Sequence, residues 1–144
     1  MDSAPFYSSS GVRIGIITPS RRTLLVYEPS MKDPRLKFPG GRMERGETVL
    51  NCAIREGMEE LGIALLPEEI EHVRNEERQE DGTYVSHFCL AHISDETYDE
   101  HLEKGFEGDR LILVKEFMIH GLSSLKNFLE PHRIFLPYFS GVPA

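Results

Sequence analysis

The chain has no tryptophan, only two cysteines in 144 residues, and fewer positive than negative side chains, 16 Lys and Arg against 24 Asp and Glu. Each shortage excludes something. Two cysteines, Cys52 and Cys89, fall in a predicted helix and a predicted strand, where a disulfide or redox role is the minor alternative, and neither has the CxxC or Cys/His spacing of a zinc site. Both read as small buried hydrophobes in a reducing cytosol. A net charge of −8 opposes bare electrostatic binding to nucleic acid or an anionic membrane, so neither is an expected partner. No apolar run approaches the length that crosses a bilayer. The N-terminal MDSAPFYSSSG lacks the apolar centre of a signal peptide, and a cytoplasmic location is the expectation.

What is present suits one globular core, with 40% apolar and 28% charged residues. Residues 1–10 read as a loose, serine-rich lead-in and residues 11–144 as a single domain. VRIGIIT (12–18) and TLLVYE (23–28) are short, β-branched and apolar, and PSRR between them reads as the turn of a hairpin. PGGRMERGE is a glycine-punctuated loop. Thr48 is placed to cap a helix running to Leu61, and Gly62 to stop it. Segments 70–79 and 83–93 read as strands around EDG. Residues 94–109 form an acidic loop with some helical character, and 110–118 a further strand. Leu122, Leu125 and Leu129 have helical spacing, and 131–139 adds a turn or short helix. The order predicts an α/β fold, a mixed β-sheet between helices.

The helix poses a question, because Glu56, Glu59 and Glu60 crowd like charges together. At about 100° per residue they span roughly 100° of the helix, while Leu50, Ile54, Met58 and Leu61 cluster on the other side. The helix is therefore expected to bury the leucine and methionine stripe and to offer the carboxylates outward. Glu56 and Glu60, four apart, repel by about 0.2–0.5 kcal/mol if exposed. A magnesium ion reverses that sign, since it takes one or two carboxylates and leaves places for water and phosphate. An ordinary solvated face with an Arg55–Glu59 ion pair is the competing reading of REGMEEL alone.

The surrounding loop decides between them. Residues 41–63 resemble the Nudix box, Gly-x5-Glu-x7-Arg-Glu-hydrophobic-x-Glu-Glu-x-Gly-hydrophobic. Gly41, Glu47, Arg55, Glu56, Glu59, Glu60, Gly62 and Ile63 all fall in place. At average residue usage the fixed letters coincide with odds of roughly one in 10⁸ at a given start, which sets chance aside. Gly57 stands where the pattern has a hydrophobic residue, a departure that removes packing and loosens the helix by up to about 1 kcal/mol.

The resemblance implies a Nudix fold and a pyrophosphohydrolase that uses magnesium or manganese. Its substrate is a nucleotide-derived small molecule carrying a diphosphate linkage: a nucleoside triphosphate, a nucleotide sugar or a dinucleoside polyphosphate. It also implies that Glu56, Glu59 and Glu60 bind metal with the Gly40 carbonyl, and that Glu47 and Arg55 form an ion pair fixing the loop to the helix. The base that takes the water's proton is then Glu59 or Glu56, or Glu107 from the loop before a late strand. Many relatives are dimers, which leaves a homodimer open.

Arg13, Lys37 and Arg42 are candidates for steering substrate phosphates, against a bland role on solvated surface. Tyr84 and Phe88 are candidates for stacking on a base, against a place in the core. His87 and His92, five apart on one strand, point to opposite faces and cannot chelate one ion together. A Nudix-fold module that binds or regulates without catalysis is the alternative reading. Its usual mark is a degenerate box, and here every acid is present.

Overall fold

A computed structural model describes residues 9–79, 83–106, 108–109 and 111–140. The elements in chain order are β1 (Ser9–Ile17), β2 (Arg22–Tyr27), β3 (Gly40–Arg42), α1 (Val49–Leu61), β4 (Ile70–Gln79), β5 (Thr83–His92), α2 (Asp95–Lys104), β6 (Leu113–Met118) and α3 (Pro137–Ser140). Short 3-10 turns occupy Pro67–Glu69, Ile119–Ser124 and Glu130–Phe135.

The main sheet has the order β3-β1-β5-β4, with β1 and β5 parallel and the two outer pairs antiparallel. Alternation along β1 and β5 splits the interior into two layers, because successive side chains leave a strand on opposite faces. Val12, Ile14, Ile16, Cys89 and Ala91 meet α1 and α2 through Cys52, Ala53, Leu61 and Tyr98. On the other face, Ile17, Phe88 and Leu90 meet Phe38, Leu122, Phe128, Phe135 and Phe139. The architecture is thus the α/β class expected, a mixed sheet with helical cover on both faces. The lead-in is shorter than expected, because Ser9 and Ser10 already pair with Tyr84 and Val85.

The expected β1–β2 hairpin does not form. β2 instead pairs antiparallel with β6 in a separate two-stranded sheet. The reason lies in its composition. Thr23, Leu24, Leu25 and Val26 are all fully buried, with Leu24 and Val26 in one core layer and Leu25 in the other, so β2 has no solvent face. The turn between β1 and β2 turns the chain out of the first sheet. Arg21 takes a positive φ of 66°, and the Arg22 N–H donates to Thr18 Oγ1 at 3.1 Å.

Two segments correct the sequence reading. The acidic stretch after β5 is a ten-residue helix, α2, capped by Ser94, whose hydroxyl accepts from the Thr97 N–H at 3.0 Å. The leucines at 122, 125 and 129 do not share an α-helix. Residues 127–129 run alongside Leu36, whose N–H donates to the Asn127 carbonyl and whose carbonyl accepts from Leu129. That ladder, together with burial of Phe128, overrides the helical spacing.

Helix α1 starts and stops where expected. Thr48 Oγ1 accepts from the Asn51 N–H at 3.0 Å, and Gly62 ends the helix at φ 69°. Of the expected stripe only Leu61 is fully buried. Leu50 is 36% and Met58 48% exposed, whereas Cys52, Ala53, Glu56, Gly57 and Leu61 are buried. Small side chains let the helix axis approach the sheet closely, and that gain outweighs burial of the larger stripe. Gly57 belongs to this contact. A Cβ there would lie 2.7 Å from Leu65 Cδ1, so Leu65 fills the space a side chain would take and the packing is not lost.

Candidate active site

Rotation of α1 puts the glutamates at the seam between helix and sheet. Glu56 is 7% exposed and lies directly against Gly41, where a Cβ would stand 2.7 Å from the Glu56 carboxyl carbon. Glu60 Oε1 accepts from the Gly40 N–H at 3.0 Å. Gly40 has φ 145°, and a Cβ there would run into the Val12 carbonyl. The paired glycines therefore have separate reasons, the first conformational and the second steric. Glu59 is the outermost of the three, with a side chain 55% exposed.

Arg55 joins the loop to this cluster. Its Nε and Nη2 hold the two Glu47 oxygens at 2.6 and 3.0 Å, a two-point grip that fixes the carboxylate plane. Nη1 reaches Glu56 Oε2 and Glu59 Oε1, both at 3.1 Å, and Nη2 also donates to the Arg42 carbonyl at 2.9 Å. The Glu44 N–H donates to Glu47 Oε1 at 2.8 Å, closing the loop on itself. The Arg55 guanidinium holds the Glu47 carboxyl down at about 2. Arg55 and Glu47 thus make the ion pair expected of them.

The remaining acids sit in a different environment. Burial pushes the Glu60 carboxyl up to about 7, and burial also raises Glu56 against the pull of Arg55. Arg55 and Arg13 lie in electrostatic reach of Glu56, and Arg13 and Lys37 of Glu60, yet burial outweighs them, and the two carboxylates form an oxygen-only donor set. A hard divalent cation matches that donor set. The thiols of Cys52 and Cys89 are free, buried and pushed up to about 12 by burial, so neither is a soft ligand or a nucleophile at neutral pH.

A cleft of about 560 Å³ opens beside the glycine loop on the sheet face opposite α1. Arg13, Lys37 and Arg42 line it together with Gly40 and Gly41, so the three basic candidates come together around one space. Tyr84 lines the same cleft, while Phe88 is fully buried among Phe38, Phe135 and Phe139. Glu107 lies outside the described residues. His87 and His92 face opposite ways as expected, one bonded to Asn75 and the other to Glu71.

Some contributors were missed in the sequence. Glu76, Ser86, His132 and Phe135 also line the cleft. Glu76 and Ser86 are direct cross-strand partners, a relation invisible until the β4–β5 register is known. Asp109 donates its N–H to the Glu59 carbonyl at 2.7 Å, and a Cβ on Gly108 would lie 2.8 Å from that oxygen and collide with the Glu60 carbonyl. A loop distant in sequence thus packs on the backbone that carries two of the three acids.

A profile of the NUDIX domain matches residues 9–139. Solved structures share the fold at low identity. A MutT studied from Aliivibrio salmonicida and Vibrio cholerae is 19% identical, with a TM-score of 0.66 over 90% of this chain and 94% of that one. A MutT protein from Methanosarcina mazei Go1 is 12% identical, with a TM-score of 0.69 over 96% of each chain. A NUDIX hydrolase from Nitrosomonas europaea is 19% identical, with a TM-score of 0.69 over 92% of this chain and 87% of that one. No curated protein matches the chain. With every acid of the box present and the profile spanning nearly the whole chain, this protein belongs to the Nudix hydrolase family. Membership implies hydrolysis of a pyrophosphate bond in a nucleotide-derived small molecule.

Proposed function

We propose that the protein is a magnesium- or manganese-dependent pyrophosphohydrolase in which Glu56, Glu59 and Glu60, with the Gly40 carbonyl, hold the metal. The observation that carries this reading is geometric: Glu56, buried against Gly41, and Glu60, bonded to the Gly40 N–H, bring two carboxylates to one seam beside the glycine loop. A bound divalent cation supplies Lewis acidity toward phosphate oxygens and a more acidic water. The chain's own residues do the rest. Arg55 sets the rotamers of Glu56 and Glu59 through its shared Nη1 contacts, so the ligands are positioned before substrate arrives. Arg13, Lys37 and Arg42 attract the polyphosphate into the cleft and offset its charge. Glu59, the most exposed of the acids, is the group best placed to take a proton from solvent water.

A nucleoside triphosphate, nucleotide sugar or dinucleoside polyphosphate is the proposed substrate range, with Tyr84 as a wall of the cleft for a base. The test is a screen of these compounds for monophosphate or pyrophosphate release with and without magnesium. Release that stops with chelator and in Glu56→Gln supports the proposal. Release that ignores both removes the metal assignment, and binding without release favours the regulatory module.

A further inference from the structure

Outside the cleft, two imidazoles converge on one point. His72 Nε2 lies 2.7 Å and His87 Nδ1 2.6 Å from the same atom, Asn75 Oδ1, and the two rings are 5.2 Å apart. The sequence spacing alone does not bring this about. A regular continuation of the Asn75–His87 pairing would put His72 opposite Leu90, but the register shifts between His72 and Arg74, and His72 stands opposite Cys89, two residues from His87 on β5. That bulge inserts a residue, so His72 and Asn75, three apart, both leave β4 on the side of His87. Glu77, two residues past Asn75 on the same side, adds an exposed carboxylate nearby.

We propose that His72 and His87, with Asn75 as oxygen donor, form a second metal site that takes a borderline divalent transition ion such as copper or zinc. Imidazole nitrogens favour these ions over magnesium, and copper stands highest in the order of divalent affinities. The nitrogens already aim at a common position, so binding needs a short inward shift of each ring, a turn of the Asn75 amide, and transfer of the proton that each ring donates to Oδ1 onto its other ring nitrogen. Burial, with His72 close by, lowers the His87 pKa, which favours the neutral ring that ligation requires. The donors are two nitrogens and a neutral oxygen on the β4–β5 ladder. The proposed magnesium site is made of carboxylates on α1. The two sites therefore select ions by different chemistry, and the bound ion would clasp β4 to β5.

The experiment is a copper(II) titration of the purified full chain in excess magnesium, followed by electron paramagnetic resonance. The expected result is one tight equivalent whose spectrum carries hyperfine coupling from two imidazole nitrogens. That signal is lost in His72→Asn and in His87→Asn, and is kept in the Glu56→Gln/Glu60→Gln double variant. Zinc added to the magnesium-loaded protein should raise the unfolding temperature of the wild type and leave His87→Asn unmoved. Unchanged stoichiometric copper binding in both histidine variants, or no binding of copper or zinc below about a tenfold excess of metal, overturns the proposal. Circular dichroism of each variant confirms that the β4–β5 region is folded where the signal is lost.

Discussion

Replacing Glu60 by glutamine should raise stability while abolishing metal-dependent turnover, two effects of opposite sign from one atom. Folding lifts this carboxyl from 4.5 to about 7. At about 1.4 kcal/mol per pH unit, that is a penalty of up to about 3 kcal/mol once the group is ionised. Glu60 keeps some solvent contact, so about 1–3 kcal/mol is the range to expect. Glutamine keeps an oxygen for the Gly40 N–H and removes the charge. The folded state holds its proton to higher pH than the unfolded state does. The wild type therefore loses stability as pH rises from 4.5 through about 7. Thermal unfolding in chelator at pH 8 should place Glu60→Gln higher by roughly 3–10 °C. The advantage should shrink below pH 7 and vanish near pH 4.5. Magnesium should stabilise the wild type at pH 8 and leave the variant where it was. A variant less stable than the wild type in chelator at pH 8 would refute the idea of a buried, undercompensated acid.

Three further substitutions probe the supports of the site. Gly41→Ala places a methyl group against the Glu56 carboxylate, and the displacement should cost about 1–3 kcal/mol and weaken apparent magnesium affinity in a titration of turnover. Arg55→Lys loses the two-point grip on Glu47, and urea unfolding should show a loss of about 1.5–3 kcal/mol with turnover lowered as well. Gly108→Ala pushes against the Glu60 carbonyl, so magnesium dependence should shift to higher concentration; an unchanged dependence would mean the loop does not position the acids.

Local chemistry made much of this legible in advance. Thr48, Gly62 and the run of glutamates between them fix α1 by capping and by the box spacing, and the Arg55–Glu47 pair follows from the same pattern. What failed depends on partners distant in sequence. The helical wheel separated acids from leucines correctly, but of its apolar stripe only Leu61 is fully buried. A wheel ranks side chains by hydrophobicity, whereas α1 packs on the sheet through the small residues Cys52, Ala53 and Gly57 beside Leu61. The β1–β2 hairpin misled because adjacency is a sound prior, and only the pairing with β6 shows that β2 belongs to another sheet. Arg13, Lys37 and Arg42 were plausible one at a time, yet only the fold shows that they share a cleft.

The assignment of Glu56 and Glu60 as metal ligands is tested most directly by manganese soaked into crystals with a nucleotide and located by its anomalous signal. The expected result is a peak at coordination distance from both carboxylates and beside Gly40. A peak elsewhere, or none at the seam while the crystals hold nucleotide in the cleft, would contradict it.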